Sequence, residues 1–185
     1  MTYIYKSVTI DRYEVKLMKN KKLTVLSLLT AVALIIFIVE AQIPDLIPVP
    51  GVKLGLSNIV TMFVVWVIGP RDAVAVLLAR IFLGAAFSGN FSSLFYSLGG
   101  GALAILTTIG LKYVLQENQI WIAGCLSALA HSVGQMAVAL LITQTYTVIL
   151  YLPVMLACSI FTGIFTGLCA QILVKRSKSW KITFN

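Results

Sequence analysis

Residues 23–39 read LTVLSLLTAVALIIFIV, an uninterrupted apolar run with no charged side chain. A helix that crosses a bilayer needs roughly 20 mostly apolar residues. This run with its immediate neighbours therefore predicts a transmembrane helix, and the rest of the chain repeats the pattern. The 14 residues after it, EAQIPDLIPVPGVK (40–53), contain Pro44, Pro48 and Pro50. Each proline removes a backbone donor and disfavours helix at the residue before it, so this stretch is a loop.

Five further apolar stretches follow, at about 54–69, 72–88, 91–113, 120–142 and 148–174. The second is short for a span. Gly69-Pro70 stops it, and Arg71-Asp72 reopens the chain. Ser88-Gly89-Asn90, the polar run Gln116 to Gln119, and Gln144 to Thr147 separate the others. The fold class expected is an all-α membrane protein of about six transmembrane helices. Residues 1–22 are expected to be a basic cytoplasmic extension, either an interfacial amphipathic helix or disordered, with no apolar stretch long enough for a cleavable signal. Residues 23–174 form the transmembrane domain and 175–185 a basic cytoplasmic tail.

Composition agrees. Of 185 residues, 59% are hydrophobic and only 11% charged, too few to cover the surface of a soluble domain. Mean hydropathy is +0.98. The net charge is +8. Nucleic acid is an obvious partner for a basic protein, but the distribution argues against it. Twelve of the fourteen Lys and Arg fall before the first apolar run, after the last, or at Arg71 and Lys112. With the N-terminus inside, six spans return the C-terminus inside, and all twelve then lie in the cytoplasm, as the positive-inside bias requires. They anchor to anionic lipid. The localisation expected is the cell membrane, multi-pass. Cys125, Cys158 and Cys169 lie within apolar runs and form no CxxC pair, so they read as small packing residues.

Polar residues inside such spans are costly, roughly 2.5–3.5 kcal/mol for a central charge, and each asks for a reason. Arg80 falls near mid-membrane in the third span. It either pairs structurally with Glu40 or backbone carbonyls, or it lines a cavity and binds an anion. His131 and Gln135, four residues apart, share one face of the fifth span. They either hydrogen-bond between helices or orient a ligand. Under the expected topology Glu40, Lys53, Asn58 and Tyr96 lie toward the outer face, with Arg80, His131 and Gln135 deeper. Together they are the candidate substrate-binding residues. Two cations point to an anionic group on the substrate, and the surrounding apolar residues to an apolar or planar remainder. No second or third ligand accompanies His131, so no metal is expected. Ser27 and Ala31 in the first span, and Gly163 and Gly167 in the sixth, have the small-xxx-small spacing that lets helices approach closely.

Signatures of catalysis are missing. There is no GxxxxGK[ST] phosphate loop, no Asp-rich pair to hold magnesium against a diphosphate, and no HExxH or GxSxG. Beyond the N-terminal stretch the acids are Glu40, Asp45, Asp72 and Glu117. The chain is expected not to be an enzyme and to need no cofactor.

Several motifs resemble one membrane family. The stretch Pro48-Val49-Pro50-Gly51-Val52-Lys53-Leu54-Gly55-Leu56-Ser57-Asn58-Ile59 resembles its PxPGxKLGLANI element. Arg80 in Leu78-Ala79-Arg80-Ile81, Phe95 to Gly100, Ser127 to Gln135, and Tyr151-Leu152-Pro153 with Thr162-Gly163 match further elements. Ser132 departs from the pattern, which has Asn there. The resemblance spans about 23–174. The family carries two labels, Gx transporter and heptaprenyl diphosphate synthase component I. Its six-helix layout looks like the substrate-binding S components of energy-coupling factor (ECF) transporters. That likeness implies a subunit that captures a small molecule from the outer side and works with a coupling protein and ATPases. It also implies that Ser27 and Ala31 dock the coupling protein. The second label implies instead a noncatalytic accessory subunit, partner to a prenyl synthase catalytic subunit in isoprenoid or quinone synthesis.

Overall fold

A computed structural model describes residues 2–42, 55–89 and 91–179, with side chains from residue 20 onward. Six α-helices account for nearly all of it: α1 (Thr2–Glu40), α2 (Asn58–Val67), α3 (Pro70–Ser88), α4 (Phe91–Lys112), α5 (Ile120–Thr143) and α6 (Leu152–Ser179). Single-turn 3-10 segments, Glu117–Gln119 and Tyr146–Tyr151, lead into α5 and α6. Among the described residues there is no strand. The chain is an all-α protein with the character of a membrane bundle.

Four stretches are long and apolar enough to cross a bilayer: Asn20–Glu40, Phe91–Lys112, Glu117–Thr143 and Tyr146–Ser179. The other two helices differ for physical reasons. Ten residues of α2 rise only about 15 Å, half of a hydrocarbon core near 30 Å. The 19 residues of α3 are long enough but carry Arg71, Asp72 and Arg80. The helix α1 runs unbroken from Thr2, through the basic residues, into the first apolar run.

The packing inverts that of a soluble protein. Large apolar side chains such as Leu28, Ile35, Phe87, Leu106, Phe161 and Phe165 point outward, while Arg80, His131 and Gln135 are buried. An apolar rim suits a lipid solvent, which gives apolar groups no reason to hide and polar groups no partner. Inside, Val60, Val64 and Val65 of α2 pack with Val76, Leu77 and Ile81 of α3. On its other flank α2 puts Met62 against Ile120 of α5 and Ala170 and Val174 of α6.

Glycines set the closest approaches. Gly124 of α5 faces the Gly163 carbonyl and the Gly167 backbone of α6. On the other side of α5, Gly134 faces the backbone of Gly99 and Gly100 in α4. The Gly163–Gly167 pair is therefore internal packing between α5 and α6. Gly89, at φ +61, closes α3 in the left-handed conformation common just past a helix end.

Contacts at one end of the bundle fix the relative sidedness of the helices. Lys22 pairs with Asp72 at 2.9 Å, Lys178 pairs with Glu117, and Lys112 Nζ donates to the Val65 carbonyl at 2.6 Å. The last contact places a cation on the carbonyl end of α2, where the helix dipole favours it. These residues sit at the start of α3 and α5, the end of α2, α4 and α6, and the point where α1 becomes apolar. The opposite end is then formed by Glu40, Asn58, Ser88, Phe91, Thr143 and Leu152. The basic residues gather at the first end, in line with the charge asymmetry of the sequence.

The Lys178–Glu117 pair is exposed at both side chains. Exposed ion pairs contribute little, so Lys178→Ala should change stability by less than about 1 kcal/mol. Thermal unfolding in detergent checks this.

Candidate functional site

The site begins with a glutamate at the end of a helix. Glu40 ends α1, and its two carboxylate oxygens accept from the backbone N–H groups of Gly55 and Leu56, the latter at 3.1 Å. The carboxylate thus holds the turn that starts α2, where free N–H groups and the helix dipole favour an anion. Gly55 sits at φ +81, and its carbonyl accepts from the Asn58 N–H at 3.0 Å. A side chain there is strained by the backbone and obstructed as well. An added Cβ would lie 3.0 Å from Asn58 Nδ2 and 3.2 Å from His131 Nε2. Gly55→Ala should therefore cost about 1–2 kcal/mol and displace His131. Thermal unfolding checks the cost, and the His131 ring resonances by NMR check the displacement.

One residue further along the turn, Ser57 accepts a hydrogen bond from Arg80 Nη1. Arg80 is 2% exposed. It sits about 12 Å from the Ser88 end of α3 and about 15 Å from the Pro70 end, too deep to reach either surface. Its guanidinium carbon is 5.8 Å from the centroid of the Phe37 ring, within cation–π range. Gly84, one turn beyond Arg80, makes room for that ring, because a Cβ there would come 2.6 Å from Phe37 Cε1. Arg80 also interacts electrostatically with Glu40 and with His131. Glu40 is thus a charge neighbour of Arg80 while both of its oxygens hold backbone.

The third wall comes from α5 packed on α4. His131 and Gln135 both lie against Gly100, where a Cβ would be 2.8 Å from His131 Nδ1 and from Gln135 Cγ. The triple glycine of α4 is what lets these two long polar side chains lie between the helices. His131 Nδ1 sits beside the Gly100 backbone without a hydrogen bond of ordinary geometry. Gln135 is 1% exposed and its Oε1 has no partner. Arg80 Nε and Nη2 are likewise buried without partners. Buried polar atoms are rarely left so, since each costs about 1–3 kcal/mol.

The candidate residues therefore divide. Glu40, Asn58, Arg80, His131 and Gln135 are all buried around the Gly55–Ser57 turn and Gly100. Tyr96 is buried too, but packs in an apolar cluster with Met136, Ala139, Val148 and Met155. Lys53 lies outside the described residues. Ser132 bonds Ser159 of α6. In the resembling pattern an asparagine stands there, and here the position ties α5 to α6. Ser27 and Ala31 lie on an exposed face of α1.

Three contributors escape a reading of the sequence. Ser57 looks like a motif neighbour of Asn58, although its hydroxyl is what receives Arg80. Phe37 precedes Glu40 by three residues, so the two share a face of α1, and that spacing is a usable signal. Gly100 is visible only as part of a glycine run whose partner across the helix interface is set by the fold.

Searches of curated proteins and of solved structures found no match. A family model described as heptaprenyl diphosphate synthase component I matches residues 29–173, which takes in every helix of the bundle and all of the buried polar cluster. The chain belongs to the heptaprenyl diphosphate synthase component I family.

Proposed function

We propose that this chain is a noncatalytic membrane subunit that captures a small, anionic and partly apolar molecule at the Arg80–His131–Gln135 cluster. It would act as the substrate-binding subunit of a transporter does. The observation that carries this reading is Arg80, a mid-bundle guanidinium with two buried nitrogens unpartnered. An arginine kept only for structure would have its donors satisfied by carbonyls or carboxylates. The Glu40 end of the bundle lies opposite the basic end, so a ligand would arrive from the outer side. Capture of this kind needs a separate source of energy, consistent with an ECF-type coupling protein and ATPases. The exposed Ser27–Ala31 face of α1 is where such a protein would pack. Ala31→Trp should then weaken co-purification with a coupling protein while leaving ligand binding intact.

The test is direct. Protein purified from membranes is extracted and the extract compared by mass spectrometry with that of Arg80→Met. A small anion found with the wild type and absent from the variant supports capture. Identical extracts would remove the basis for it.

The family description favours a second reading, in which the chain is an accessory membrane component that works with a prenyl synthase catalytic subunit. Reconstituting the two in liposomes decides this. A change in rate or product length supports it, and unchanged synthesis rules it out.

A further inference from the structure

Arg80 uses one nitrogen and leaves two open, and which two are open matters. Nη1 donates to Ser57, while Nε and Nη2 have no partner. Nε–H and the adjacent Nη2–H lie parallel on one edge of the planar guanidinium. That edge fits two oxygens of one carboxylate, giving two charge-assisted hydrogen bonds. Gln135 Oε1 adds a requirement of opposite sense, because a buried amide oxygen without a partner calls for a donor. Both side chains are at least nine-tenths buried, so water does not freely satisfy them.

Charge narrows the class. Glu40 is a charge neighbour of Arg80. Among the described residues, the guanidinium and this carboxylate give the site a formal charge near zero before any ligand arrives. A carboxylate adds a single negative charge. A diphosphate adds two or three, and is ordinarily met by several cations or by magnesium held on carboxylates. No group of three His, Cys, Asp or Glu that would hold a metal occurs among the described residues.

We infer that the cluster binds a monoanionic carboxylate that also carries a hydrogen-bond donor, with the carboxylate on the Nε/Nη2 edge of Arg80 and the donor on Gln135 Oε1. This rests on the capture reading above and specifies its ligand. It also separates that reading from any role in which the site holds a prenyl diphosphate. Such a carboxylate reaches the site either as a water-borne small molecule or as a long-chain acid from the bilayer.

Titration calorimetry on the purified full chain in detergent tests this with defined probes: ω-hydroxyhexanoate, hexanoate, methyl ω-hydroxyhexanoate, ω-hydroxypalmitate, inorganic pyrophosphate and geranyl diphosphate. The hydroxy acid should bind about tenfold or more tightly than its methyl ester, which cannot pair with the guanidinium edge. It should bind about tenfold more tightly than hexanoate, which leaves Gln135 Oε1 unpaired. Preference for the palmitate homologue assigns the ligand to the bilayer, and equal or weaker binding assigns it to water. Arg80→Lys keeps the charge but loses the fork, and should lower affinity about tenfold. In Gln135→Leu the advantage of the hydroxyl should vanish. Tighter binding of either diphosphate, or equal binding of acid and ester, overturns the carboxylate assignment and leaves a binding site standing. No binding by any probe overturns both. The wild-type series decides the matter even if a variant fails to fold.

Discussion

Arg80→Met is expected to abolish ligand capture while leaving the unliganded protein as stable as the wild type, or more stable by about 1–3 kcal/mol. Methionine matches the length of the arginine stem and needs no partners. The wild type keeps a guanidinium in the bundle interior with Nε and Nη2 unsatisfied, and desolvation of such a charge costs several kcal/mol. The losses on substitution are the Ser57 hydrogen bond and the Phe37 ring contact, together about 1–3 kcal/mol. Glu40 retains its two backbone donors. A protein that becomes sturdier when a buried residue is removed has been holding that residue for function. Apparent melting temperature in detergent and ligand content by mass spectrometry are the two readouts. A structural arginine gives the opposite pattern: a marked drop in melting temperature with no specific change in bound small molecules.

Gly124→Val should prevent the bundle from assembling, at a cost of about 3 kcal/mol or more. A Cβ at this position would meet the Gly163 carbonyl and the Gly167 backbone, with Gly167 N at 2.7 Å. Those neighbours are main chain of α6 and cannot rotate aside. In a membrane such close backbone approach stands in for the hydrophobic drive that lipid removes, so separating α5 from α6 forfeits the packing and the Ser132–Ser159 contact together. Gly110 is the internal control. It lies in α4 with nothing within 4 Å of an added Cβ, and Gly110→Ala should be neutral or gain up to about 1 kcal/mol. Folded yield by size-exclusion chromatography separates the two. Equal behaviour of Gly124→Val and Gly110→Ala would contradict this packing.

The amino-acid sequence by itself determined the helices and their order. Apolar runs bounded by Gly69-Pro70, Ser88-Gly89 and the Gln116–Gln119 turn are local signals, and the observed ends of α3, α4 and α5 fall within about two residues of them, as such signals allow. Arg80, His131 and Gln135 were legible for the same kind of reason, since a polar residue in an apolar run is conspicuous wherever the run is placed. The short α2 was visible as a short run, but its role was not. Only the tertiary structure shows that it serves as a wedge among α3, α4 and α6 whose first turn carries the site.

Partnership was decided by the tertiary structure alone. Glu40 and Lys53 looked alike as charges bracketing a loop, yet Glu40 proved to hold the Gly55–Leu56 backbone. Tyr96 had the right depth and joined an apolar cluster instead. Ser57 and Gly100 carried no chemistry of their own in the sequence, and became part of the site because α3 and α5 pack where they lie. Hydropathy and helix ends are properties of neighbouring residues in the chain. Which edge of a guanidinium stays open depends on side chains 23 positions away at Ser57 and on another helix altogether, and no local pattern encodes that distance.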